Sequence, residues 1–193
     1  MRDNLRKIYT RGGDLGQTRL LNGETVDKDD LRVSAYGTLD ELQSHLGVAR
    51  AMAGQERIRS ILASVQEILF VAGSELASSR PTLGRLKRRI AAEDVQGLEK
   101  WIDELTTVYG LPDRFVVPGA SVESGVLHVA RSVCRRCERS IVRLNREAEG
   151  DYAECVVFFN RLSDLLFVLA WSVELRGLVC QVVRELIRGG GAA

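Results

Sequence analysis

The placement of proline constrains the fold of this chain more than any other feature of its sequence. The 193 residues contain three prolines, Pro81, Pro112 and Pro118, and each lies in a connection between stretches of regular apolar spacing. Proline removes a helical hydrogen bond and clashes with the preceding turn, so long stretches without it are free to form helices. Within these stretches apolar residues recur at intervals of three and four, which is typical of one buried helix face. The sequence therefore predicts an all-α bundle of up-and-down helices.

Five helices follow from this periodicity and form a single domain. They are predicted at about residues 29–52, 56–78, 92–109, 121–147 and 151–175, with Ser121 as the N-cap of the fourth. The pattern leaves open whether the fifth resumes beyond Gly177. The bundle takes up residues 29–187, after a loop of residues 1–28 and before a glycine-rich tail, residues 188–193, that is expected to be disordered. Residues 115–117 are predicted as an apolar strand leading into the fourth helix, and the basic run 84–89 as a solvated linker.

Composition and targeting signals argue against several classes of function. Basic and acidic residues number 27 and 26, for a net charge of +1, which argues against a general nucleic-acid or membrane surface. The N-terminus lacks the apolar core of a signal peptide, and no uninterrupted apolar stretch is long enough to cross a bilayer, so a cytoplasmic protein is expected.

The four cysteines, Cys134, Cys137, Cys155 and Cys180, fall at apolar helical positions and are expected to be reduced thiols. The Cys134–Cys137 CxxC is interpreted as core packing, because neither a second pair nor a nearby histidine completes a zinc site.

The fourth predicted helix carries a polar stripe opposite its buried face. At about 100° per residue, Arg131, Arg135, Glu138 and Arg139 share roughly a quarter of the circumference. Guanidinium groups suit phosphate because their charge is permanent and their donors lie in a fixed plane. The stripe is therefore a candidate polyphosphate site, although an ordinary solvated face explains the same pattern.

The segment before the first helix, residues 8–18, reads IYTRGGDLGQT and is a candidate phosphate cradle. Its three glycines, Gly12, Gly13 and Gly16, let backbone N–H groups approach an anion without a Cβ in the way. It is not a Walker loop, because the GK[ST] ending is missing. Since glycine-rich turns are common, the segment alone does not establish a binding site.

Further polar positions lie on the first and fifth helices. Gly37 lowers helix stability by about 1 kcal/mol relative to alanine, so a close-packed neighbour is expected there, and Asp40 is available to pair with an arginine. Asn160 and Asp164 lie one turn apart on a face without large apolar side chains.

A di-iron carboxylate bundle is a further helical alternative, but it requires two Glu-x-x-His pairs. The two histidines of the chain, His45 and His128, do not follow a glutamate by three residues. Both are interpreted as packed or hydrogen-bonded helix residues rather than metal ligands.

Five segments, taken in order, closely resemble the PduO-type ATP:cob(I)alamin adenosyltransferases. They are IYTRGGDLGQT from Ile8, DKDDLRVSAYGTLDEL from Asp27, FVVPGAS from Phe115, LHVARSVCRRCER from Leu127 and NRLSDLLFVLA from Asn160. The match runs from about residue 8 to residue 170 at compatible spacing, which makes it far more specific than a glycine-rich loop. The resemblance implies a five-helix bundle that assembles as a homotrimer, binds ATP, Mg²⁺ and cobalamin, and has its sites where subunits meet.

The resemblance also implies roles for particular residues. The family's ATP-binding positions are occupied by Thr10, Arg11, Gly12, Gly13, Thr18, Arg19, Lys28, Arg135, Arg136, Glu138, Arg139 and Asn160. Asp40 and Arg131 match an intersubunit acid–arginine pair that shapes the active site. Phe115 matches an aromatic residue beneath the corrin ring. Arg131, Arg135, Asp40 and Phe115 are therefore expected to serve catalysis, and the metal ligands stay unknown.

The implied reaction moves the 5′-deoxyadenosyl group of ATP to the cobalt of cob(I)alamin and releases triphosphate. The nucleophile belongs to the corrinoid, so the protein need supply no catalytic base. Arg135, Arg139 and Lys28, with Mg²⁺, would stabilise the departing triphosphate. Phe115 would exclude the lower axial ligand, which leaves Co(II) four-coordinate and easier to reduce to the Co(I) nucleophile.

The chain departs from the family pattern at three places. The loop commonly reads Thr-Lys-Thr-Gly-Asp, whereas Arg11 and Gly12 replace its lysine and second threonine; Ala120 replaces a glycine, and the sequence after Ala170 differs. A noncatalytic carrier or sensor of ATP or adenosylcobalamin, with the same fold, is therefore an alternative, as is a helical scaffold. A cobalamin reductase and an adenosylcobalamin-dependent enzyme are candidate partners that the sequence does not identify.

Overall fold

The computed structural model describes residues 8–147 and 151–189, which form a predominantly helical structure with one small hairpin. The elements in chain order are β1 (Gln17–Arg19), β2 (Thr25–Asp27), α1 (Leu31–Met52), α2 (Glu56–Leu76), α3 (Arg80–Leu83), α4 (Ala92–Tyr109), α5 (Val122–Glu147) and α6 (Ala153–Gly189). The five long helices lie where apolar periodicity predicts them. The single turn of α3 was not predicted, because four residues are too few to show a period.

The core is built around α5, which packs against both α1 and α6, while α2 covers α1 and α4 covers α6. The buried residues of α5 include Ala130, Val133, Cys134, Cys137, Ile141 and Leu144, so the predicted apolar face is confirmed. Each large aliphatic side chain buried in this way contributes about 1.5–3 kcal/mol. The rigid packing of α5 fixes the direction of its opposite, polar face.

Side-chain caps fix where two of these helices begin. Asp30 caps α1 by accepting a 2.7 Å hydrogen bond from Arg32 N. Ser124 N donates to Ser121 Oγ over 3.1 Å, and Ser121 N donates to Ser124 Oγ over 3.2 Å. The predicted cap of α5 at Ser121 is therefore confirmed, and such a cap contributes about 1 kcal/mol.

The cysteines of the bundle are unpaired thiols. Cys134, Cys137 and Cys155 are buried, and burial raises the pKa of Cys137 to about 12 and raises the pKa values of Cys134 and Cys155 as well. Such thiols carry no thiolate at neutral pH, so the CxxC is part of the core and not a redox or metal site. Cys180 is exposed, contrary to its predicted apolar position.

The N-terminal loop contains an antiparallel hairpin that the sequence interpretation missed. Thr18 of β1 pairs with Val26 of β2, and Gly23 lies in the turn with a φ of +84°. Leu20 is buried, and Asn22 Nδ2 donates to Ser79 Oγ over 3.0 Å. The hydrogen bond to Ser79 links the hairpin to the start of α3. The Asn-Gly pair at 22–23 is a hairpin signal that could have revealed it.

The basic run at residues 84–89 is not the free solvated linker that was expected. Glu75 is fully buried and accepts hydrogen bonds from Arg89 Nε at 3.0 Å and Nη2 at 2.8 Å, and from Ile90 N at 2.8 Å. Arg88 Nη2 pairs with Asp94 Oδ1 at 2.5 Å. Two of its cations are thus used within the chain, because a buried carboxylate requires charged or N–H partners.

The last helix is longer than predicted. α6 runs through Gly177 without a break and ends at Gly189, so residues 188 and 189 are helical rather than part of a disordered tail; residues 190–193 lie outside the described residues. The first half of α6 supplies buried core residues such as Phe158 and Phe159, whereas Leu178 and Leu186 in the second half are exposed. An isolated glycine such as Gly177 destabilises a helix without necessarily ending it.

By length and composition alone α6 could cross a membrane, and 39% of the segment concerned is buried in the molecule. The expectation concerned uninterrupted apolar stretches, and charged residues such as Arg161, Glu174 and Arg176 interrupt this helix. The burial of the first half of α6 in the core is sufficient reason for the apolarity of that half.

Candidate active site

The glycine-rich loop and the hairpin together form a concavity of about 640 Å³, here called the N-terminal cradle. It is lined by Thr10, Gly12, Gly13, Gln17, Thr18, Arg19, Thr25 and Lys28. Lys28 N donates to Gly16 O over 2.8 Å, so the end of β2 is held against the glycine turn. Two cations, hydroxyls and backbone donors therefore face one space that suits a phosphate. Six of the predicted ATP-binding residues meet in this cradle.

The two adjacent glycines of the cradle have different steric surroundings. A Cβ added to Gly13 would lie 3.1 Å from Lys28 Nζ and 3.3 Å from Gln17 O, whereas a Cβ on Gly12 would lie 3.6 Å from Thr10 Oγ1. The first position is too tight for a side chain without movement, and the second makes an ordinary contact. Steric crowding therefore does not require glycine at position 12. Relative to the family pattern, Gly12 removes one hydroxyl from the loop.

Arg11 is the predicted loop residue that does not line the cradle. Its φ is +59°, in the left-handed region that non-glycine residues enter at a cost. Its guanidinium carbon lies 5.9 Å from the centre of the Tyr9 ring, within the range of a cation–π contact. In this conformation the Arg11 charge lies with Tyr9, outside the cradle.

A second concavity, of about 590 Å³, lies between α4, α5 and α6 and is here called the arginine cavity. Arg131 and Arg135 line it from α5, and Arg161, Asp164 and Phe167 line it from α6. Arg161 is already paired, with Glu99 Oε1 at 3.0 Å and with Asp164 Oδ2 at 3.0 Å. The α5 arginines are thus the cations of this cavity that are available to a ligand.

The predicted arginine stripe lies on the side of α5 away from the core. Arg135 and Arg139 are exposed, and within residues 8–147 and 151–189 neither has a carboxylate at ion-pair distance. Their neighbour Glu138 accepts a 3.2 Å hydrogen bond from Asn160 Nδ2 of α6. Its carboxylate is therefore oriented by the amide of Asn160 and not by an arginine. Uncompensated guanidinium groups held on a rigid helix are suited to binding an anion.

Arg136 lies apart from this stripe. Its guanidinium pairs with Glu41 of α1, about 100° around the helix from Arg135. An arginine engaged in this way has less free charge to offer an external phosphate. The assignment of Arg136 to ATP binding stays a prediction.

Phe115 lies in the connection between α4 and α5, where residues 115–117 are irregular and do not form the predicted strand. Its side chain is fully exposed at 102% and lines a concavity of about 770 Å³, the Phe115 cavity, together with Arg131 and Phe167. Arg131 and Phe167 line the arginine cavity as well. The exposed aromatic and the cationic face therefore adjoin each other.

Asp40 and Gly37 occupy a different part of the surface. Both line a concavity of about 380 Å³ between α1 and α2, and neither lines the cavities that contain Arg131. A Cβ on Gly37 would meet nothing within 4 Å. The expected close-packed neighbour of Gly37 is therefore not found within the described chain. In one copy, Asp40 and Arg131 line separate cavities.

Phe167 is the residue of these cavities that sequence reasoning missed. It lies in the apolar run 165–170 of α6, where periodicity assigns a phenylalanine to the core. Only the position of its ring between two cavities distinguishes it from Phe158 and Phe159, which are buried. Its spacing of three residues from Asp164, a polar position already noted, was the available signal.

A protein-only metal site is not found in the described parts of the chain, where no group of three or more His, Cys, Asp or Glu side chains could hold an ion. Magnesium commonly binds through one or two carboxylates together with substrate phosphates. Glu138, between Arg135 and Arg139 on the stripe, is a carboxylate of this kind. The residues present therefore fit a magnesium ion that arrives with a polyphosphate.

Fold and cavities together define a class: a helical-bundle protein with two cationic surfaces suited to polyphosphate and an exposed aromatic beside one of them. The comparisons with known proteins agree with this class. The family model described as Cobalamin adenosyltransferase matches residues 8–173, and the chain belongs to that family.

Relatives in sequence and structure cover almost the whole chain. It is 47% identical over 174 residues to a corrinoid adenosyltransferase of Citrobacter freundii, covering 90% of this chain and 98% of that protein. It is 36% identical over 179 residues to the corrinoid adenosyltransferase PduO of Salmonella typhimurium, covering 93% of this chain but 53% of that longer protein. A variant PduO-type ATP:corrinoid adenosyltransferase from Lactobacillus reuteri, complexed with cobalamin and ATP, superposes with a TM-score of 0.81 at 36% identity, covering 89% and 96% of the two chains.

Proposed function

We propose that this protein transfers the 5′-deoxyadenosyl group of ATP to the cobalt of cob(I)alamin, which yields adenosylcobalamin and triphosphate. The observation that carries the proposal is the juxtaposition of the arginine cavity and the Phe115 cavity, which share Leu111, Arg131 and Phe167. One cavity suits a polyphosphate and the other an extended apolar ring system. The family relationship supports the same reaction.

The arginine stripe would act on the leaving group. As the C5′–O bond of ATP breaks, negative charge gathers on the triphosphate, and Arg135 and Arg139 are the unpaired cations available to it. Donors that are already in place when this charge develops stabilise the transition state more than the ground state. Magnesium, held by Glu138 and phosphate oxygens, would supply further charge neutralisation.

The N-terminal cradle would hold ATP in place. Lys28 and Arg19 supply charge, Thr10 and Thr18 supply hydroxyl donors, and Gly13 allows the backbone to approach. Holding the nucleotide so that C5′ lies in line with cobalt turns a bimolecular encounter into an oriented one. We assign nucleotide affinity chiefly to this cradle, which Arg11 would enter only after leaving Tyr9.

Phe115 would act on the corrinoid side. Its exposed ring, with Val116 in the same concavity, offers an apolar surface beneath a corrin. Such a surface would displace the lower axial ligand, leave Co(II) four-coordinate and make its reduction to Co(I) easier. Because the nucleophile is then the cobalt itself, the protein supplies orientation and charge rather than a base.

We further propose that the active site forms between copies of the chain in a homotrimer. In one copy the cradle shares no lining residue with the arginine cavity, and Asp40 lines neither cavity that contains Arg131. An Asp40–Arg131 pair would therefore join two copies, and it would compensate Asp40, which has no ion-pair partner within the described chain. Gly37, beside Asp40, would allow a second copy to approach closely.

The proposed setting is cytoplasmic, with a reductase that supplies the electron and an adenosylcobalamin-dependent enzyme as candidate partners. Neither nucleic acid nor a membrane is a proposed partner, since the net charge is +1. The rival within the same fold is a noncatalytic carrier or sensor of ATP and adenosylcobalamin. The loss of a loop hydroxyl at Gly12 is the feature that favours the rival.

Product formation separates these two functions. Purified protein is mixed with Mg-ATP and chemically reduced cob(I)alamin under anaerobic, dark conditions, and the visible spectrum is followed while released triphosphate is measured. Protein-dependent conversion to adenosylcobalamin with stoichiometric triphosphate supports the enzyme. Binding of ATP and corrinoid without conversion supports the carrier, and absence of ATP binding supports a scaffold with a solvated basic face.

A further inference from the structure

A buried polar pair lies directly behind the residues shared by the two cavities. His128 of α5 and Glu174 of α6 are both about 5% exposed at their side chains, and His128 Nε2 lies 3.5 Å from Glu174 Oε1. The separation is longer than a good hydrogen bond. Within the described chain neither ring nitrogen of His128 has a hydrogen-bond partner, and neither does Glu174 Oε1.

The pair is connected to the site through Arg131 and Phe167, two of the three residues that line both cavities. His128 precedes Arg131 by three positions, so the two side chains lie on the same face of α5. The His128 ring lies edge-on to Phe167, with 6.2 Å between ring centres. Arg131 Nε is itself buried and unpartnered within the described residues. The ring thus contacts Phe167 and lies on the same helix face as Arg131.

We propose that His128, supported by Glu174, is a positioning residue that holds Phe167 and Arg131 in place for the reaction. This inference rests on the proposed function. An unpartnered buried polar group costs about 1–3 kcal/mol, so a packed histidine with two unpaired nitrogens lowers the stability of the fold. The neutral ring packs against Phe167 without placing a second positive charge beside Arg131.

The charge on the ring decides whether it can do this. Burial lowers the pKa of His128; Glu174 raises it and Arg131 lowers it. Glu174 of α6 and Arg131 of α5 are the charged groups that affect the pKa of His128. Among the described residues, α1 contributes no charged group that affects it. Because the pKa is below its ordinary value of 6.5, the ring is neutral at pH 7 and above. As pH falls below that range the ring becomes a buried cation beside the half-buried Arg131, which it repels.

The coupling can be measured without any turnover. The chain has two histidines, so NMR titration of their imidazole signals resolves both, and His45→Gln assigns them. Removing the neighbouring charge in Arg131→Gln should raise the pKa of His128 by about half a unit or more, and Glu174→Gln should lower it by a similar amount. His45, half-exposed on α1 beside Glu41, supplies the reference signal in both variants.

The functional arm uses the adenosylation assay. His128→Gln should lower kcat about tenfold with little change in KM for ATP, because the cradle is untouched, and the acid limb of the wild-type pH–rate profile should be lost or displaced. Glu174→Gln keeps the side-chain volume and should move the acid limb of the pH–rate profile to lower pH. This variant replaces His128→Gln as the test if His128→Gln does not fold. His45→Gln should reproduce the wild-type profile.

Two results would overturn the proposal. One is a His128 pKa that does not respond to Arg131→Gln or to Glu174→Gln in folded protein. The other is a pH–rate profile that is the same in a folded His128 or Glu174 variant as in the wild type. Failure of the proposed function would appear instead as a wild-type protein that binds its ligands and forms no product, whatever the titration shows.

Discussion

The N-terminal cradle and the α5 arginine stripe both offer positive charge to an anion, but they are built differently. The stripe stands on a 26-residue helix whose opposite face lies in the core. The cradle stands on two strands of three residues each and on turns of exposed backbone. Side chains on a rigid helix keep their positions as charge develops, whereas short loops adjust to a ligand.

This difference separates two kinds of contribution to one reaction. On the proposed function, the preorganised stripe would lower the barrier of the chemical step, and the cradle of short strands and turns would improve the binding of substrate and transition state alike. Substitutions in the stripe should therefore reduce kcat, while substitutions in the cradle should raise KM for ATP. The following changes test that separation, from the largest expected effect to the smallest.

Removing Arg135 should have the largest effect. Arg135→Ala is expected to lower kcat by about 10²–10³-fold, as loss of one preorganised donor does elsewhere, with a smaller change in KM for ATP. Steady-state adenosylation with cob(I)alamin measures both constants. Arg143→Ala is the matched control, since Arg143 is exposed on the same helix and pairs with Glu147. Equal losses in both variants, or near-normal turnover in the first, would remove the stripe from the mechanism.

Phe115→Ala should affect the reduction of Co(II) to Co(I) and not the later transfer of the adenosyl group. We expect slow reaction when the assay begins from Co(II) with a reductant, by about tenfold or more, and a much smaller loss when cob(I)alamin is supplied, because the ring acts before the nucleophile exists. ATP binding, measured by calorimetry, should not change. Val108→Ala, an exposed apolar residue of α4, is the control, and an equal loss from both cobalt states would contradict the role.

Filling the cradle at Gly13 should raise KM and leave kcat nearly intact. A side chain there meets Lys28 Nζ and Gln17 O, so Gly13→Val should weaken ATP about tenfold, equivalent to about 1.4 kcal/mol. Titration with ATP at saturating corrinoid gives both constants. Gly84→Ala is the control, since a Cβ there meets nothing within 4 Å. If kcat falls as steeply as the affinity for ATP, the cradle and the stripe do not make separate contributions to binding and to turnover.

The smallest change should come from restoring the missing hydroxyl. Gly12→Thr places an oxygen where the family commonly has one, and the structure leaves room for the Cβ. We expect ATP to bind a few-fold more tightly, as one additional hydrogen bond of about 1 kcal/mol allows. Calorimetry on wild type and variant measures it directly. Weaker binding would show that the cradle is adapted to glycine at this position.

The bundle was predictable from the sequence because its signal is local and repeated. The α5 residues Val133, Cys134, Cys137, Ile141 and Leu144 are each buried, and each follows from a spacing of three or four. The hairpin was missed because strands of three residues are too short to show alternation. The continuation of α6 past Gly177 was left open because one glycine lowers helix stability without fixing where a helix ends.

The candidate site was predictable only in part. Arg131 and Arg135 were placed on one face by helical geometry, and both line the same cavity. The pairing of Arg136 with Glu41, and the position of Phe167 between two cavities, depend on how separate helices pack, which a spacing rule along one helix does not contain. The buried His128–Glu174 pair was hidden for the same reason, since 46 positions of sequence separate the two residues.

The central claim is that the cradle of one copy works with the stripe of another, and mixed oligomers test it most directly. Gly13→Val and Arg135→Ala chains are co-expressed with different tags, mixed assemblies are purified, and adenosylation is measured at subsaturating ATP. If neighbouring copies share a site in a cyclic trimer, about one site in three of each purified mixed assembly regains both intact surfaces, and activity rises far above that of either variant alone. Activity no greater than the sum of the two separate variants would contradict the claim and place both surfaces within one chain.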